Sequence, residues 1–423
     1  MVVKIGRPAQ PGPEPALARG NPGLGPAMPA PHFRVYAQGV TVITDNAALA
    51  GFCQRISSNA YIAVDTEFIR ERTFWPKLCL VQVAAEDDAA AIDSLADAID
   101  LSPLFELMAN KRILKVFHAG RQDIEIFHHL TGEIPSPLFD TQVAAMVCGF
   151  GESVSYETLV AQIAKAQIDK SSRFTDWAHR PLSHRQIDYA LSDVVHLRTV
   201  YEELLRRLEK NGRTSWLAEE MAVLTDPETY RMEPRQAWHR LKTRSHSRRH
   251  LAVLREVAAW RETEAQARDV PRNRIVRDET LLEIAAHSPH TRADLARSRS
   301  ISKGIAEGPM GAAILKAVEI GLAVPADELP ELPPRIDAPP GAKPLVELLK
   351  VLLKMKCEEH GVAQKLVATT QDLEAIAADD GAAVPALSGW RHDVFGEDAL
   401  AIKHGKLALT VRDRTVRLVP PAK

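Results

Sequence analysis

Three separate segments of the chain carry acidic residues at spacings that suit the binding of metal ions. In the first segment, Asp65 and Glu67 end an apolar, β-prone run that begins at Tyr61. Side chains on a strand alternate in direction, so these two carboxylates share one face. On a buried face they would repel each other and resist desolvation unless cations held them. A solvated strand end is the alternative, because two acids at this spacing form a weak motif.

The second and third segments place their acids on predicted helices. Asp123 follows a predicted strand, Ile113 to Phe117, and falls in the first turn or two of the next helix. The alternative is that Asp123 has no role in metal binding and lies there because the helix dipole favours an acid near a helix N-terminus. Tyr189 and Asp193 lie four residues apart in a third helical stretch, so they project from one face. Each feature alone is common, but the order and context of all three segments indicate a single site.

These segments resemble the DEDD exonucleases of the tyrosine-bearing branch, and within that branch the ribonuclease D family. The resemblance covers the chain from about Phe33 to the C-terminus and is specific at the acidic segments. It is carried by Val64-Asp65-Thr66-Glu67-Phe68, Phe117-His118-Ala119-Gly120-Arg121-Gln122-Asp123, Phe139-Asp140-Thr141, the stretch from Lys170 to Leu182, and Tyr189-Ala190-Leu191-Ser192-Asp193-Val194.

The resemblance implies a catalytic site for two divalent metal ions, Mg²⁺ or Mn²⁺. Hard cations of this kind take oxygen ligands, which agrees with carboxylates in place of Cys or His. Asp65 is expected to bridge both ions. Glu67 and Asp193 then complete the site of the ion that activates water, and Asp123 holds the other ion. Tyr189, with an ordinary pKa of about 10, is a poor base at neutral pH and is expected to orient the attacking water.

Further residues are expected to contact the substrate. Phe68 could stack on a terminal base, because such a contact tolerates any sequence, and packing in the core or a lid is the alternative. The same two interpretations apply to Phe74 and Trp75. His118 could touch a phosphate or cap the following helix. Three basic residues are expected near the scissile phosphate by resemblance: Lys170, Arg173 and Arg180.

The composition is that of an ordinary globular protein. Its 423 residues, 45% hydrophobic and 26% charged, are enough for two or three domains. Apolar runs stay shorter than the ~20 residues that span a bilayer, so a membrane protein is not expected. The four cysteines form no Cys-x-x-Cys pair, which argues against a zinc site or a disulfide framework and fits the cytoplasm. A monomer is expected.

Periodicity and helix breakers predict five regions. The first is expected to be disordered, and Met28 is an alternative start. The last is expected to end in a short hairpin. The regions are an extension rich in Pro, Gly and Ala (1–32), an α/β ribonuclease H-like 3′-to-5′ exonuclease domain (33–212), two all-α domains of the helicase-and-RNase-D C-terminal (HRDC) type (238–323 and 345–423), and a Pro-rich linker between them (324–344).

Positive charge is concentrated at the start of the first HRDC region. Arginines and a lysine cluster between Arg231 and His250, and further arginines follow between Arg268 and Arg277. Basic clusters attract phosphate backbones of any sequence, so this region is predicted to bind RNA. A solvated helix face is the alternative.

The leading functional hypothesis is a metal-dependent 3′-to-5′ exoribonuclease. By resemblance, it trims tRNA precursors and other structured RNA 3′ ends and releases 5′-mononucleotides. The same chemistry on DNA is an alternative, since the sequence identifies no contact to the 2′-hydroxyl, although the paired helical domains favour RNA. A non-catalytic RNA-binding protein is disfavoured because all four acids and the tyrosine are present.

Overall fold

The computed structural model describes residues 42–243, 245, 247–299, 301–331 and 341–421. The extension predicted to be disordered, residues 1–32, lies outside these ranges, as do residues 332–340 of the predicted linker. Within the described ranges, the helices are all too short or too polar to cross a membrane.

A six-stranded mixed sheet forms the centre of the first domain. The neighbouring strands β2, β3 and β4 pair antiparallel, whereas β5 and β6 extend the sheet from β2 in parallel. The spatial order is β1-β4-β3-β2-β5-β6. This arrangement of short strands followed by strands alternating with helices confirms the α/β prediction. The strands are β1 (Val42–Ile43), β2 (Tyr61–Ile69), β3 (Lys77–Ala84), β4 (Ala89–Ile92), β5 (Leu114–Phe117) and β6 (Leu138–Asp140).

Helices cover both faces of this sheet. One face packs against α1, α2 and α3, and the other against α4 to α7. Helix α7 extends the domain beyond the predicted boundary at residue 212, because its apolar residues Leu217 and Met221 are buried in the same core as α6. The helices are α1 (Asn46–Ile56), α2 (Ser102–Ala109), α3 (Arg121–Thr131), α4 (Thr141–Val147), α5 (Tyr156–Leu159), α6 (His184–Lys210) and α7 (Thr214–Thr225).

Strand β2 is longer than the sequence predicts. The apolar run from Tyr61 ends in the acids Asp65 and Glu67, but the strand continues to Ile69 because its second half pairs with β3. The alternative of a solvated strand end is therefore wrong. Val64 lies in the core beneath α1 to α3 and Ala63 in the core beneath α6, so alternation directs Asp65 and Glu67 towards α6.

The next domain is a bundle of helices around one apolar core. The helical period was predicted to begin near Trp238, but residues 234–240 form a 3₁₀ turn and the first long helix begins only at Arg248. Ser247 caps this helix through the amide of His250. The helices are α8 (Arg248–Ala267), α9 (Arg272–Ile275), α10 (Asp278–His287), α11 (Arg292–Leu295), α12 (Lys303–Glu307) and α13 (Pro309–Ala323).

The last domain is helical apart from a terminal hairpin. Its first helix starts at Ala342, slightly earlier than predicted, because Pro344 falls in the first turn, where proline is tolerated. The hairpin predicted from alternation is confirmed by antiparallel pairing of Ala408 with Val419. The elements are α14 (Ala342–His360), α15 (Gln364–Val367), α16 (Thr370–Ala378), α17 (Gly389–Arg391), α18 (Glu397–Lys403), β7 (Ala408–Arg412) and β8 (Thr415–Val419).

Two tryptophans join this last domain to the first. Trp216 of α7 stacks on Trp390 of α17, with ring centroids 4.2 Å apart and an angle of 8° between the planes. The guanidinium carbon of Arg213 lies 4.7 Å from the Trp216 centroid, and that of Arg391 lies 4.6 Å from the Trp390 centroid. Arg391 also donates to Glu219 at 2.9 Å. The interface therefore combines stacking with charge pairing.

Candidate active site

Strand β2 and helix α6 bring the first and third acidic segments together. Helix α6 begins at His184 with a capping box, in which Ser183 accepts from the amide of Gln186 and the Gln186 side chain accepts in return. On the face of α6 towards β2, Tyr189 and Asp193 lie one turn apart. Strand β2 and helix α6 therefore fix the backbone positions of the two segments that carry these candidate ligands.

Three carboxylates meet at this junction. Ligand oxygens of Asp65, Glu67 and Asp193 all lie within 4.8 Å of one another. In the part of the chain that the structure describes, this is the one group of three or more acidic, His or Cys side chains close enough to share a metal ion. Burial raises the pKa of Asp193, and the neighbouring Tyr189 hydroxyl partly offsets this rise.

Asp123 approaches from helix α3 and stands beside this group. A Cβ at Gly120 would lie 2.5 Å from the Cβ of Phe117, so the tight turn from β5 into α3 requires glycine. Asp140 accepts from the amide of Gly120 at 2.8 Å and holds the turn. The Thr66 hydroxyl donates to Asp123, which is 7% exposed. Asp123 is thus a neighbour of the three-carboxylate group without belonging to it.

Burial and mutual repulsion disfavour charge on all four carboxyl groups. Burial is the largest cause at each, and it raises the pKa of Glu67 to about 9, of Asp193 to about 7 and of Asp123 to about 6. Burial and then the charge of Asp123 raise the pKa of Asp65 well above its ordinary value. Positive charge at this point would restore the ionised forms.

The donor set fits divalent metal ions. All ligand atoms are carboxylate oxygens, which hard cations such as Mg²⁺ or Mn²⁺ prefer to nitrogen or sulfur. Four buried or half-buried acids that resist ionisation in one place are also the arrangement that bound cations stabilise. The chemistry of the site therefore agrees with divalent metal use.

An open cavity of about 350 Å³ leads to this group. Tyr156, which sequence reasoning missed, is half-buried in its wall and donates its hydroxyl to the carbonyl oxygen of Ser192 at 3.1 Å. The only local signal for it was Ser155, a helix N-cap residue. The cavity is lined by Asp65, His118, Ala119, Gln142, Ser153, Ser155, Tyr156, Glu157, Ile168, Lys170, Arg173, Tyr189, Asp193 and Leu197.

Three of the predicted substrate contacts line this cavity. Lys170 pairs with Glu157, and the charge of Arg173 lowers the pKa of both Glu67 and Asp193. The His118 Nδ1 atom lies 3.0 Å from the Thr141 hydroxyl. His118 does not cap α3, since the N-cap position is Gly120. All three side chains line the cavity, and their contacts with substrate stay predictions.

Arg180 is not free to make the predicted contact with the scissile phosphate. Its Nε and Nη2 atoms donate to the two carboxylate oxygens of Asp93, each at 2.7 Å. The remaining N–H groups face the carbonyl oxygens of Trp177, His179 and Cys79 at 2.7–2.9 Å. Because the guanidinium is fully engaged within the protein, the expected phosphate contact is wrong, and Arg180 ties the segment before α6 to the sheet.

The aromatic residues that follow the first acidic pair, Phe68 at the end of β2 and Phe74 and Trp75 after it, pack against other parts of the protein. Phe68 is half-buried against the core beneath α1 to α3. Phe74 is 2% exposed and belongs to the core of the following helical domain, beneath the guanidinium of Arg272. Trp75 stacks on His129 with centroids 4.1 Å apart. Base stacking is therefore wrong for Phe74, and the packing alternative holds.

Several charges of the predicted basic region are engaged by acids or carbonyl oxygens of the protein itself. Arg235 donates to Glu256 at 2.8 Å, and Arg272 forms a two-bond pair with buried Glu262. Arg249 donates to carbonyl oxygens at the end of α13. Arg244 lies outside the described residues. The pairing shows that several of these charges stabilise the helical domain, which weakens the prediction of an RNA-binding face there.

Comparison with known proteins gives the same assignment as the geometry. Residues 40–209 match the family model of a 3′-5′ exonuclease, and residues 250–318 match that of an HRDC domain. Ribonuclease D of Granulibacter bethesdensis is 51% identical over 382 residues, 90% of this chain and 96% of that protein. Ribonuclease D of Nitrobacter hamburgensis is 52% identical over 378 residues, 89% and 99% of the two chains.

A solved structure extends the match to three dimensions. The crystal structure of Escherichia coli RNase D, described as an exoribonuclease involved in structured RNA processing, superposes with a TM-score of 0.73. Its sequence is 30% identical, and the match covers 87% of this chain and 99% of that one. With the acidic group, the fold and the domain order in agreement, the chain belongs to the ribonuclease D family of 3′-to-5′ exoribonucleases.

Proposed function

We propose that this protein shortens tRNA precursors and other structured RNAs from single-stranded 3′ ends, releasing 5′-mononucleotides. The observation that carries the proposal is the group formed by Asp65, Glu67 and Asp193 at the end of an open cavity. Support for the substrate class comes from the E. coli relative, which is described as processing structured RNA.

In this proposal, Asp65, Glu67 and Asp193 would hold divalent metal ions together with Asp123, which approaches from α3. When bound, such ions supply the positive charge that activates water and stabilises the leaving 3′-oxygen. Tyr189 orients the attacking water through its hydroxyl. Burial and the charge of Asp193 raise its pKa above the ordinary value, so the hydroxyl stays protonated at neutral pH and acts by position.

Lys170 and Arg173 supply the positive wall of the cavity. Both are exposed, and both charges reach Asp193, whose pKa they lower. A phosphate entering the cavity would meet these cations on one side and the acidic group on the other. We assign both residues to the scissile phosphate.

The same proposal includes action as a monomer in the cytoplasm. One chain supplies Asp65, Glu67, Asp123, Tyr189 and Asp193, so a partner subunit is not needed to complete the site.

Digestion of a 5′-labelled tRNA precursor with a short 3′ trailer tests the proposal. The reactions contain Mg²⁺ or EDTA, a DNA of matched sequence runs in parallel, and wild type is compared with Asp193→Asn. Asp188→Asn is the matched control, because Asp188 is exposed on the same helix. Stepwise RNA trimming that EDTA and Asp193→Asn abolish and Asp188→Asn preserves is expected. Faster cleavage of the DNA, or full activity of Asp193→Asn, would overturn it.

A further inference from the structure

One aromatic side chain at the active-site end is left in water. Phe174 is 91% exposed, more than any other large hydrophobic residue in the described part of the chain. Single exposed apolar residues are common and need no explanation by themselves. The exposure of Phe174 is relevant because the residue before it, Arg173, lines the cavity.

The Phe174 ring lies against a side chain that lines the cavity at the acidic group. Its centroid is 5.2 Å from the guanidinium carbon of Arg173, the residue that precedes it and lines the cavity. The same arginine is close enough to the acidic group for its charge to lower the pKa of Glu67 and Asp193. The ring is thus one side chain away from the place where phosphate is expected to bind.

The backbone on both sides of Phe174 is held in place. Ser172 and Trp177 are buried, and the Thr175 hydroxyl donates to the carbonyl oxygen of Ser172 at 2.8 Å. Gln186 of α6 donates to the same hydroxyl at 3.2 Å. The protein therefore presents the ring on a fixed turn, so a ligand that covers it orders few additional degrees of freedom.

We propose that Phe174 is a stacking platform for an RNA base upstream of the terminal nucleotide. This inference rests on the proposed function and adds a substrate contact to it. The ring contacts Arg173 of the cavity wall but does not line the cavity itself, so the base that it meets belongs to a nucleotide still outside. Stacking on a phenyl face tolerates every base, as an enzyme that trims varied sequences requires. Arg173 beside it is placed for the phosphate of the same strand.

The platform affects binding and not the chemical step. Phe174→Ala is expected to raise KM for a single-stranded 3′ end by about 5-fold to 150-fold, the range for one base–aromatic stack, with kcat unchanged. Phe174→Trp and Phe174→Tyr keep a π face and are expected to restore KM, whereas Phe174→Leu is not. Val411→Ala is the matched control, since Val411 is a 71% exposed apolar residue on the terminal hairpin.

RNAs with one abasic residue identify the nucleotide that stacks. Abasic sites are placed second, third or fourth from the 3′ end, and both KM and the binding constant in EDTA are measured. At one position the abasic site should weaken RNA binding by the wild type as much as Phe174→Ala weakens binding of intact RNA. Combining the abasic site with Phe174→Ala should then weaken binding no further than either change alone. Additive effects at every position, or an unchanged KM for Phe174→Ala, would overturn the platform. A wild type that binds RNA without shortening it would instead overturn the proposed reaction, while the binding constants still test Phe174.

Discussion

In the absence of cations, negative charge on the four carboxyl groups of the candidate site is unfavourable. The free energy of unfolding of the metal-free protein therefore depends on pH. Glu67 has a pKa of about 9 in the folded protein against about 4 for an ordinary carboxyl. The metal-free folded state therefore binds protons more tightly than the unfolded state, so the free energy of unfolding falls as pH rises across this window. Bound cations remove that penalty.

The melting temperature with EDTA is therefore expected to fall between pH 5 and pH 9, and the gain from Mg²⁺ to grow over the same range. Differential scanning fluorimetry at several pH values measures both. Glu67→Gln serves as the control, because an amide does not ionise and the EDTA curve should flatten. A gain from Mg²⁺ that is equal at every pH would contradict this account of the site.

A second prediction concerns the hydroxyl of Tyr189. Tyr189→Phe keeps the ring and removes the group assigned to orient water, so kcat should fall by about 10²-fold while KM changes little. Single-turnover cleavage separates this effect from product release. Tyr156→Phe is the matched control, since its hydroxyl bonds to a backbone carbonyl in the same cavity wall. An equal loss in both variants would assign the effect to packing.

Strand and helix geometry predicted which nearby residues share a face, but it did not predict contacts between residues far apart in the chain. Strand alternation placed Asp65 and Glu67 on one face, and helix spacing placed Tyr189 near Asp193, so these pairs follow from the sequence. The fate of Arg180 does not, because its partner Asp93 lies 87 positions away. The catalytic roles of the acids stay predictions until variants are measured.

Among the elements, helix α6 depends on its first turn. Ser183 and Gln186 satisfy each other's amides in a capping box, and the same helix carries Tyr189 and Asp193 farther along. Ser183→Ala should lower the free energy of unfolding by about 1 kcal/mol, the typical value for an N-cap. Urea denaturation measures it, and Ser183→Asp should retain most of the stability. No difference between the two variants would show that tertiary packing alone fixes the helix.

Element boundaries were predictable where the pattern was local. Strand β5 occupies Leu114–Phe117, one residue shorter than the predicted strand from Ile113 to Phe117. Strand β2 was predicted too short because the residues after Asp65 are not an apolar run, and only pairing with β3 makes them a strand. Tertiary pairing of this kind leaves no trace in a single segment.

Across the whole molecule, the turn after β2 is held by the helical domain. Asp269 accepts from the amides of Phe74 and Trp75 at 3.0 and 2.9 Å, although the residues are 195 and 194 positions apart. Asp269 has a φ of 48°, a left-handed conformation that asparagine also tolerates. One carboxylate thus links the catalytic strand to the HRDC domain.

Asp269→Asn should weaken this link without straining the backbone. Hydrogen exchange of the Phe74 and Trp75 amides is expected to become faster, because a neutral amide oxygen is a weaker acceptor than a carboxylate. Asp278→Asn is the control, since Asp278 pairs with Arg261 inside the helical domain and should leave those amides unchanged. Unaltered exchange in Asp269→Asn would mean that the packed Phe74 ring holds the turn by itself.

The stacked pair Trp216 and Trp390 gives the protein an optical property of its own. Two parallel indoles with centroids 4.2 Å apart couple their electronic transitions, and the coupling vanishes when the rings separate. One ring belongs to the exonuclease domain and the other to the last domain. A circular dichroism couplet from these chromophores would therefore report, without any added label, whether the last domain stays docked while RNA enters and leaves.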